Sequence, residues 1–247
     1  MTQLFKNIYF LSFLFILVSC NQEKEQSLSL NSLITPDYKY NQDYFYCDLN
    51  KNVSLINLES FLSLFIDDHL NDFDEFLDID ILFPDKVEEV KKFIFSVRSI
   101  KNPKVVADFV NTLNTNEFEK ISSCNFSIHQ SSALDIIKQV PKVTDDILNV
   151  EILRCTYNAE YNFGTFRISI DRFSNAVGRL KIPYKLSYIS LSNSNDFIWV
   201  NSFFMNDHEE FLETKWVIDE ESTAIKEEFN QNATCLDSEK YKSYVLI

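Results

Sequence analysis

The chain has 247 residues, a formal net charge of -14 and only 2 glycines beside 5 prolines. So few glycines exclude collagen-like, glycine-linker and glycine-rich phosphate-loop proteins, and the acidic field repels nucleic acid and anionic headgroups where no lysine or arginine run overrides it. With 45% hydrophobic residues, among them 23 Phe and 11 Tyr, there is ample material for a core, and the chain falls outside the generically disordered class.

The first element is an apolar run of 11 residues from Ile8 to Val18, preceded by Lys6 and ending in Leu17-Val18-Ser19-Cys20. It is too short to span a bilayer as a helix, which takes roughly 20 residues, and has the proportions of a secretory signal. Its end resembles the lipobox of bacterial lipoproteins. That resemblance implies acylation of Cys20, which then becomes the mature N-terminus, with residues 1–19 as signal peptide, palmitate among the attached lipids, the lipid bilayer as a partner and a place in the bacterial cell envelope, on the outer membrane facing periplasm or surface. Residues 20–42 are polar, lack a sustained period and read as a tether. Glu23 and Glu25, interrupted by Lys24, resemble the surface-export signals of Bacteroidetes lipoproteins.

The body repeats itself. Tyr44-Phe45-Tyr46-Cys47-Asp48-Leu49-Asn50 aligns with Ile152-Leu153-Arg154-Cys155-Thr156-Tyr157-Asn158 at an offset of 108. At the same offset Leu55, Leu58, Leu62, Phe65 and His69 fall on Phe163, Phe166, Ile170, Phe173 and Val177, both sets stepping by three or four like one helix face. Taken alone, Phe166 to Ile170 alternates like a strand, but the longer period predicts a helix. Ile79, Ile81 and Phe83 then fall on Ser187, Ile189 and Leu191 as short strands. Phe93-Ile94-Phe95 matches Phe197-Ile198-Trp199 at an offset of 104, which makes the preceding turn four residues shorter. A helix follows in each copy. The first starts at Asn102 and Pro103, with Val105, Val106, Phe109, Val110 and Leu113 as its face; the second starts at Asn206 or Asp207, with Phe211, Leu212, Lys215 and Trp216 behind.

The expected organisation is therefore a first α+β repeat over 43–116, a connector over 117–149, a second repeat over 150–218 and a polar tail over 219–247. The connector is expected to hold a short strand around Cys124, Phe126 and Ile128 and a helix over Ser132–Val140, and the tail one short helix near Ser222–Phe229. The fold class is α+β. Each unit reads strand, helix, strand, strand, helix, an open sheet with helices on one face, and two such units can cover each other's bare face. This resembles the dimeric α/β-barrel superfamily, ferredoxin-like units paired sheet to sheet, here as a fused pseudo-dimer. The second copy carries more of the likeness, through Cys155-Thr-Tyr-Asn and Asp196-Phe-Ile-Trp-Val. Small-molecule oxygenases, haem-handling proteins and proteins of other roles share that superfamily, so the likeness implies a fold and a cavity without choosing a function.

Strand alternation places Tyr44, Tyr46 and Asp48, with Ile152, Arg154 and Thr156, on the face between the sheets, together with Asp78, Asp80 and Tyr188. Arg154, Tyr46, Tyr44, Tyr188 and Asp48 are the candidate ligand-binding residues. A buried Arg154 requires a carboxylate, for which Asp48, Asp78 and Asp80 are the candidates. A solvated sheet face accounts for the same pattern. His69, His129 and His208 have no ligand spacing, and Asp67, Asp68, Asp72, Asp74 and Glu75 lack the glycine and order of a calcium loop, so no metal or other cofactor is indicated. Beyond Cys20, four cysteines allow three disulfide pairings or stay as buried thiols. No Gly-x-Ser-x-Gly occurs, and the sequons at Asn52, Asn125 and Asn232 bear on a eukaryotic source only. With no catalytic constellation, the expectation is a membrane-anchored lipoprotein that binds a protein or small-molecule partner without catalysis. The alternative is an enzyme or carrier using the inter-sheet cavity.

Overall fold

The computed structural model describes residues 36–73, 77–86, 89–100, 104–139, 147–181, 183–191, 194–204, 216 and 220–246. The chain divides into Met1–Asp37 and Tyr38–Ile247. The first unit, with Cys20 and the apolar run, lies almost wholly outside the described residues, as do Asn102, Pro103, Asp74, Glu75, His208 and the start of the second expected C-terminal helix.

The body runs β1 (Tyr40–Leu49), α1 (Leu55–Phe73), β2 (Leu77–Pro84), β3 (Lys92–Ser99), α2 (Lys104–Thr115), a short 3-10 turn at Phe118–Lys120, β4 (Ser122–Cys124), β5 (Ser131–Gln139), β6 (Ile147–Tyr157), α3 (Phe163–Leu180), β7 (Tyr184–Ser190), β8 (Asp196–Phe203), α4 (Ser222–Asn232), β9 (Ala233–Cys235) and β10 (Glu239–Val245). The strands pair in the order β10-β2-β3-β1-β5-β7-β8-β6, and β10 also pairs β6, so the sheet closes on itself. In the first half β1 lies between β3 and β5, with β2 outside β3; in the second β6 lies between β8 and β10, with β7 outside β8. The last strand of each half pairs the second strand of the other, β5 with β7 and β10 with β2. Closure leaves no free edge among these strands. The result is a mixed α/β body with four α-helices among the described residues around a barrel-like sheet.

The period-three-or-four faces are helices, α1 and α3. Leu58, Leu62 and Phe65 are buried on one, Phe166, Ile170 and Val177 on the other. Asn162 starts α3 with a capping box, its side chain accepting from the Gly164 and Thr165 amides while the Thr165 hydroxyl accepts from the Asn162 amide. In α2 the buried residues are Val105, Val106, Phe109, Val110 and Leu113, the face read from the sequence. With glycine so scarce, Asn52, Lys86, Glu117, Gln130, Glu160 and Lys181 take the left-handed conformation at turns, each at a cost of about 1 kcal/mol.

Three expectations are corrected. The segment expected as a helix over Ser132–Val140 is β5, because Ala133 and Asp135 share a face that pairing to β1 and β7 buries. The polar tail supplies not only α4 but β10, whose alternating Tyr241, Ser243 and Val245 face inward while the strand bridges β2 and β6. The register of the second strands is also off by one. Leu77, Ile79 and Ile81 pack under the first pair of helices, and the residues doing so in β7 are Tyr184, Leu186 and Tyr188, at an offset of 107 rather than 108. A one-residue slip exchanges the two faces of a strand, so Ile189 and Leu191 face the barrel interior, not the helices.

Two apolar cores lie outside the barrel wall, one under α1 and α2 around Phe45, Phe95 and Phe109, the other under α3 and α4 around Phe166, Phe197 and Trp199. A third fills the middle of the barrel with Leu82, Ile94, Ala133, Ile152, Ile189 and Val200. The cysteines form Cys47–Cys124 and Cys155–Cys235, one of the three open pairings. Each joins the first strand of a half to the short strand facing it, β4 or β9, at directly opposed positions.

Candidate functional site

The barrel interior is solid in the middle and hollow towards both ends of β6, β7 and β8. One cavity, of about 410 Å³, is lined by Tyr44 and Tyr46 of β1, Arg154 of β6, Ile189 and Leu191 at the end of β7, and Asn125, Ser127 and His129 of the segment between β4 and β5. It exists because β5 pairs β1 only over Tyr40–Gln42 and β4 only over Cys47–Leu49. Between them the wall parts and the 125–130 segment swings outward. Asp43 holds that segment by accepting the His129 and Gln130 amides at 2.7 and 2.9 Å, and burial pushes its carboxyl above the usual range.

Of the five candidate residues, the structure brings Arg154, Tyr46 and Tyr44 to this cavity. Arg154 donates to the Tyr46 hydroxyl and lies over its ring at 5.6 Å. Its carboxylate is none of the three expected but Glu239 of β10, at 3.7 Å, a partner in the polar tail, where only one short helix and no strand is expected from the sequence. Both side chains are about two-fifths exposed, so the pair is worth no more than about 1 kcal/mol. Arg154→Met is accordingly expected to shift the urea midpoint only marginally; a loss above about 2 kcal/mol would show a buried role instead. Two candidates are corrected. Asp48 sits at the exposed end of β1 and pairs Lys92 at 3.7 Å. Tyr188 faces the α3 side, stacked on Phe197 and bonded to the Tyr157 hydroxyl at 3.1 Å, for the register reason above.

The other cavity, of about 400 Å³, is far more charged. Asp78 and Asp80 of β2, Arg98 of β3, Lys138 of β5 and Lys185 of β7 line it, with the hydroxyls of Ser96, Ser187, Ser202 and Ser243. Asp135 ties the group together. Its Oδ1 accepts from Tyr40 and Ser187, each at 2.7 Å, and stands 3.7 Å from Lys185 Nζ; its Oδ2 stands 3.6 Å from Arg98. A bulge between Asp135 and Ile137 resets the alternation of β5, so Ile137 packs outside while Asp135 and Lys138 both point inward. Arg98 lies over the Tyr40 ring at 4.1 Å and reaches Asp78 at 3.8 Å.

Burial works against every charge in this group. It pushes the Asp135 carboxyl up, but Lys185, Arg98 and the two hydroxyl donors outweigh it and hold that carboxyl below the usual range. For Asp80 burial wins: despite Lys185 and Arg98 nearby, its carboxyl is pushed up to about 6. Burial and then Arg98 depress the Lys185 ammonium. A carboxyl that titrates near neutrality beside two cations in a cavity suits proton transfer or anion binding. Asp78 and Asp80 were placed inward by strand alternation. Arg98 and Lys185 are not among the candidates from the sequence, which come from the faces of other strand positions, and Asp135 is absent from them because Ser132–Val140 is expected as a helix. The alternation of Lys185, Ser187 and Ile189 along β7 was the available signal.

A third cavity, of about 290 Å³, lies outside the barrel wall between β8 and helices α3 and α4, lined by Phe166, Phe173, Trp199, Phe203, Trp216 and Phe229. Its polar lining is Lys226, Asn230 and Asn201, whose Oδ1 accepts from Tyr184 at 2.6 Å and Trp199 at 2.9 Å and whose amide donates to Glu151 at 2.8 Å. The corresponding space under α1 and α2 is packed, with a void of about 10 Å³. No histidine is among the described residues lining the third cavity, and its two cysteines are the Cys155–Cys235 disulfide. His69 on α1 is within 3.2 Å of Asn116 and packs on Phe65. Among the described residues no group of three metal-ligating side chains gathers.

No family model matches the sequence, and no curated protein matches it. Solved structures do match. A mutant chlorite dismutase from Candidatus Nitrospira defluvii, in complex with cyanide, is 9% identical with a TM-score of 0.53, over 85% of this chain and 93% of that one. A "putative monooxygenase" from Lactobacillus acidophilus is 7% identical with a TM-score of 0.50, over 81% and 93%. Another so named from Fusobacterium nucleatum is 11% identical with a TM-score of 0.50, over 86% and 94%. The chain has the dimeric α/β-barrel fold. At these identities the likeness is one of fold. The expectation of a role without catalysis is nevertheless corrected. The structures sharing the fold along nearly their whole length are of proteins named as enzymes, and the interior carries the ionisable cluster whose apparent absence had motivated that expectation.

Proposed function

We propose that the protein is an enzyme or carrier for a small molecule held inside the barrel. The charged cavity carries this reading. A small closed barrel ordinarily fills its interior with side chains, and apolar residues of similar volume would stabilise the fold at least as well as buried ions. Here Arg98 and Lys185, both paired with Asp135, join Asp80 in lining about 400 Å³ instead, a volume within the range of ligand sites. The two halves read as ferredoxin-like repeats fused into a pseudo-dimer, supported by the matching strand orders and the matching disulfides. A small-molecule screen by thermal shift tests the function. Ligands should raise the melting temperature of the full chain by several degrees at concentrations well above their Kd, and Ser202→Trp, which fills the cavity, should abolish the rise. An equal rise in a folded Ser202→Trp variant would place the ligand elsewhere and overturn the reading.

The aromatic cavity favours a second reading, an apolar or aromatic organic substrate oriented by Asn201, Tyr184 and Trp199, in keeping with the monooxygenase names among the structural neighbours.

The lipobox reading is carried forward as part of the proposal, with Cys20 as the acylated residue and the cell envelope as the location. Two disulfides support an oxidising compartment. Cys20→Ala is expected to move the protein from the detergent phase to the aqueous phase in a partition assay. A variant that stays in the detergent phase with its signal peptide removed would refute anchoring through Cys20.

A further inference from the structure

We infer that the charged cavity is a site for a small oxyanion, a carboxylate or a phosphate-like group, held between Arg98 and Lys185 and admitted together with a proton taken up by Asp80. The inference rests on the reading of the barrel interior as a ligand site and names the chemistry of that ligand.

A guanidinium presents five N–H donors and an ammonium three, and neither accepts. Arg98 meets Asp135 at 3.6 Å and Asp78 at 3.8 Å, and Lys185 meets Asp135 at 3.7 Å. These are ion pairs beyond hydrogen-bonding distance. The Asp135 oxygen nearer Lys185 is already occupied by two hydroxyl donors. The cavity thus holds two largely buried cations whose donors are not spent on the carboxylate they share, with serine hydroxyls around them. A planar fork beside an ammonium, both with donors to spare, suits an oxyanion.

Asp80 decides when that group can enter. The charged and titratable groups facing it are Arg98 from β3, Lys185 from β7, Tyr44 from β1, Lys138 and Asp135 from β5, and Asp78 on its own strand; β10 presents Ser243 and Val245. When Asp80 is ionised, three carboxylates face three cations and an entering anion meets a balanced wall. When Asp80 is protonated, the wall carries a net positive charge. Burial and its neighbours put this change at about 6. If only the protonated form admits the anion, apparent affinity scales with its population and is roughly tenfold or more weaker at pH 7.5 than at pH 5.5.

Titration calorimetry on the full chain, disulfides intact and ionic strength held constant, tests this with malonate, inorganic phosphate and the neutral malonamide at the two pH values. Malonate or phosphate should bind at pH 5.5 and lose roughly tenfold in affinity at pH 7.5, and the better of the two identifies the oxyanion source. Lys185→Met should lose the binding. Asp80→Asn, which copies the protonated carboxyl in shape and charge, should keep the pH 5.5 affinity at pH 7.5 and serves if Lys185→Met does not fold. Unchanged binding in Lys185→Met, or unchanged pH dependence in Asp80→Asn, overturns the inference. Neutral molecules binding in the cavity while oxyanions do not would refute the anion and leave the ligand site standing. No binding of any class, with no effect of Ser202→Trp, would remove both.

Discussion

Opening the two disulfides by paired Cys→Ser substitution is expected to cost the protein a large part of its stability, about 4 kcal/mol for each bridge in the chain-entropy picture. The closed loops are long, with sequence separations of 77 for Cys47–Cys124 and 80 for Cys155–Cys235, so each bridge removes much freedom from the unfolded chain. The bridges also hold two short strands, β4 and β9, that have only three-residue pairings of their own. Cys47→Ser with Cys124→Ser opens the β4 side and loosens the segment that roofs the Arg154 cavity. Cys155→Ser with Cys235→Ser opens the wall of the aromatic cavity, to which both cysteines belong. Urea unfolding of the two double variants measures the effect. A cost under about 1 kcal/mol in both would show that the bridges follow the fold without stabilising it.

Asp135→Ala carries the second large effect, a loss of roughly 3 kcal/mol, because removing one member of a buried ion cluster strands the others. Asp135 is the nearest carboxylate to both Arg98 and Lys185 and accepts from Tyr40 and Ser187 as well. The pH dependence separates this group from its neighbour. The folded Asp135 carboxyl lies below its usual value, so its contribution is present at neutral pH and is lost as pH falls through that lowered value. The folded Asp80 carboxyl lies above its usual value, at about 6. The fold disfavours its charged form, so its contribution improves as pH falls from about 6 towards the ordinary carboxylate range near 4. Urea midpoints of the parent should therefore gain from Asp80 between pH 7 and 4.5 and decline at lower pH. Asp80→Asn should flatten the gain, and Asp135→Ala should remove part of the decline. A gain that survives Asp80→Asn would assign it to another group.

The helices and the strands that open each half were legible in the sequence because their periods are local properties. Leu58, Leu62 and Phe65 recur at helical spacing whatever they pack against, and Phe45 and Cys47 alternate with Tyr44 and Tyr46 regardless of partner. The likeness of Cys47-Asp-Leu-Asn to Cys155-Thr-Tyr-Asn was legible for the same reason, since it needs no reference to tertiary contacts. Strand alternation likewise put Tyr46 and Arg154 on inward faces, and the two side chains meet at one cavity.

Tertiary structure alone decided the rest. A strand that closes a barrel gains its stability from partners far along the chain, so β10 looked like a polar tail until β2 and β6 flanked it. The bulge that turns Lys138 inward is set by pairing to β7 and leaves no mark in β5 itself. The register of β7 was ambiguous by one residue because both of its faces are buried, Tyr184, Leu186 and Tyr188 under the helices and Ser187 and Ile189 in the barrel. Alternation distinguishes inside from outside only when one side meets water. The charged cavity combines side chains from β2, β3, β5 and β7. No spacing along the chain encodes that meeting, because it is created by the closure of the sheet.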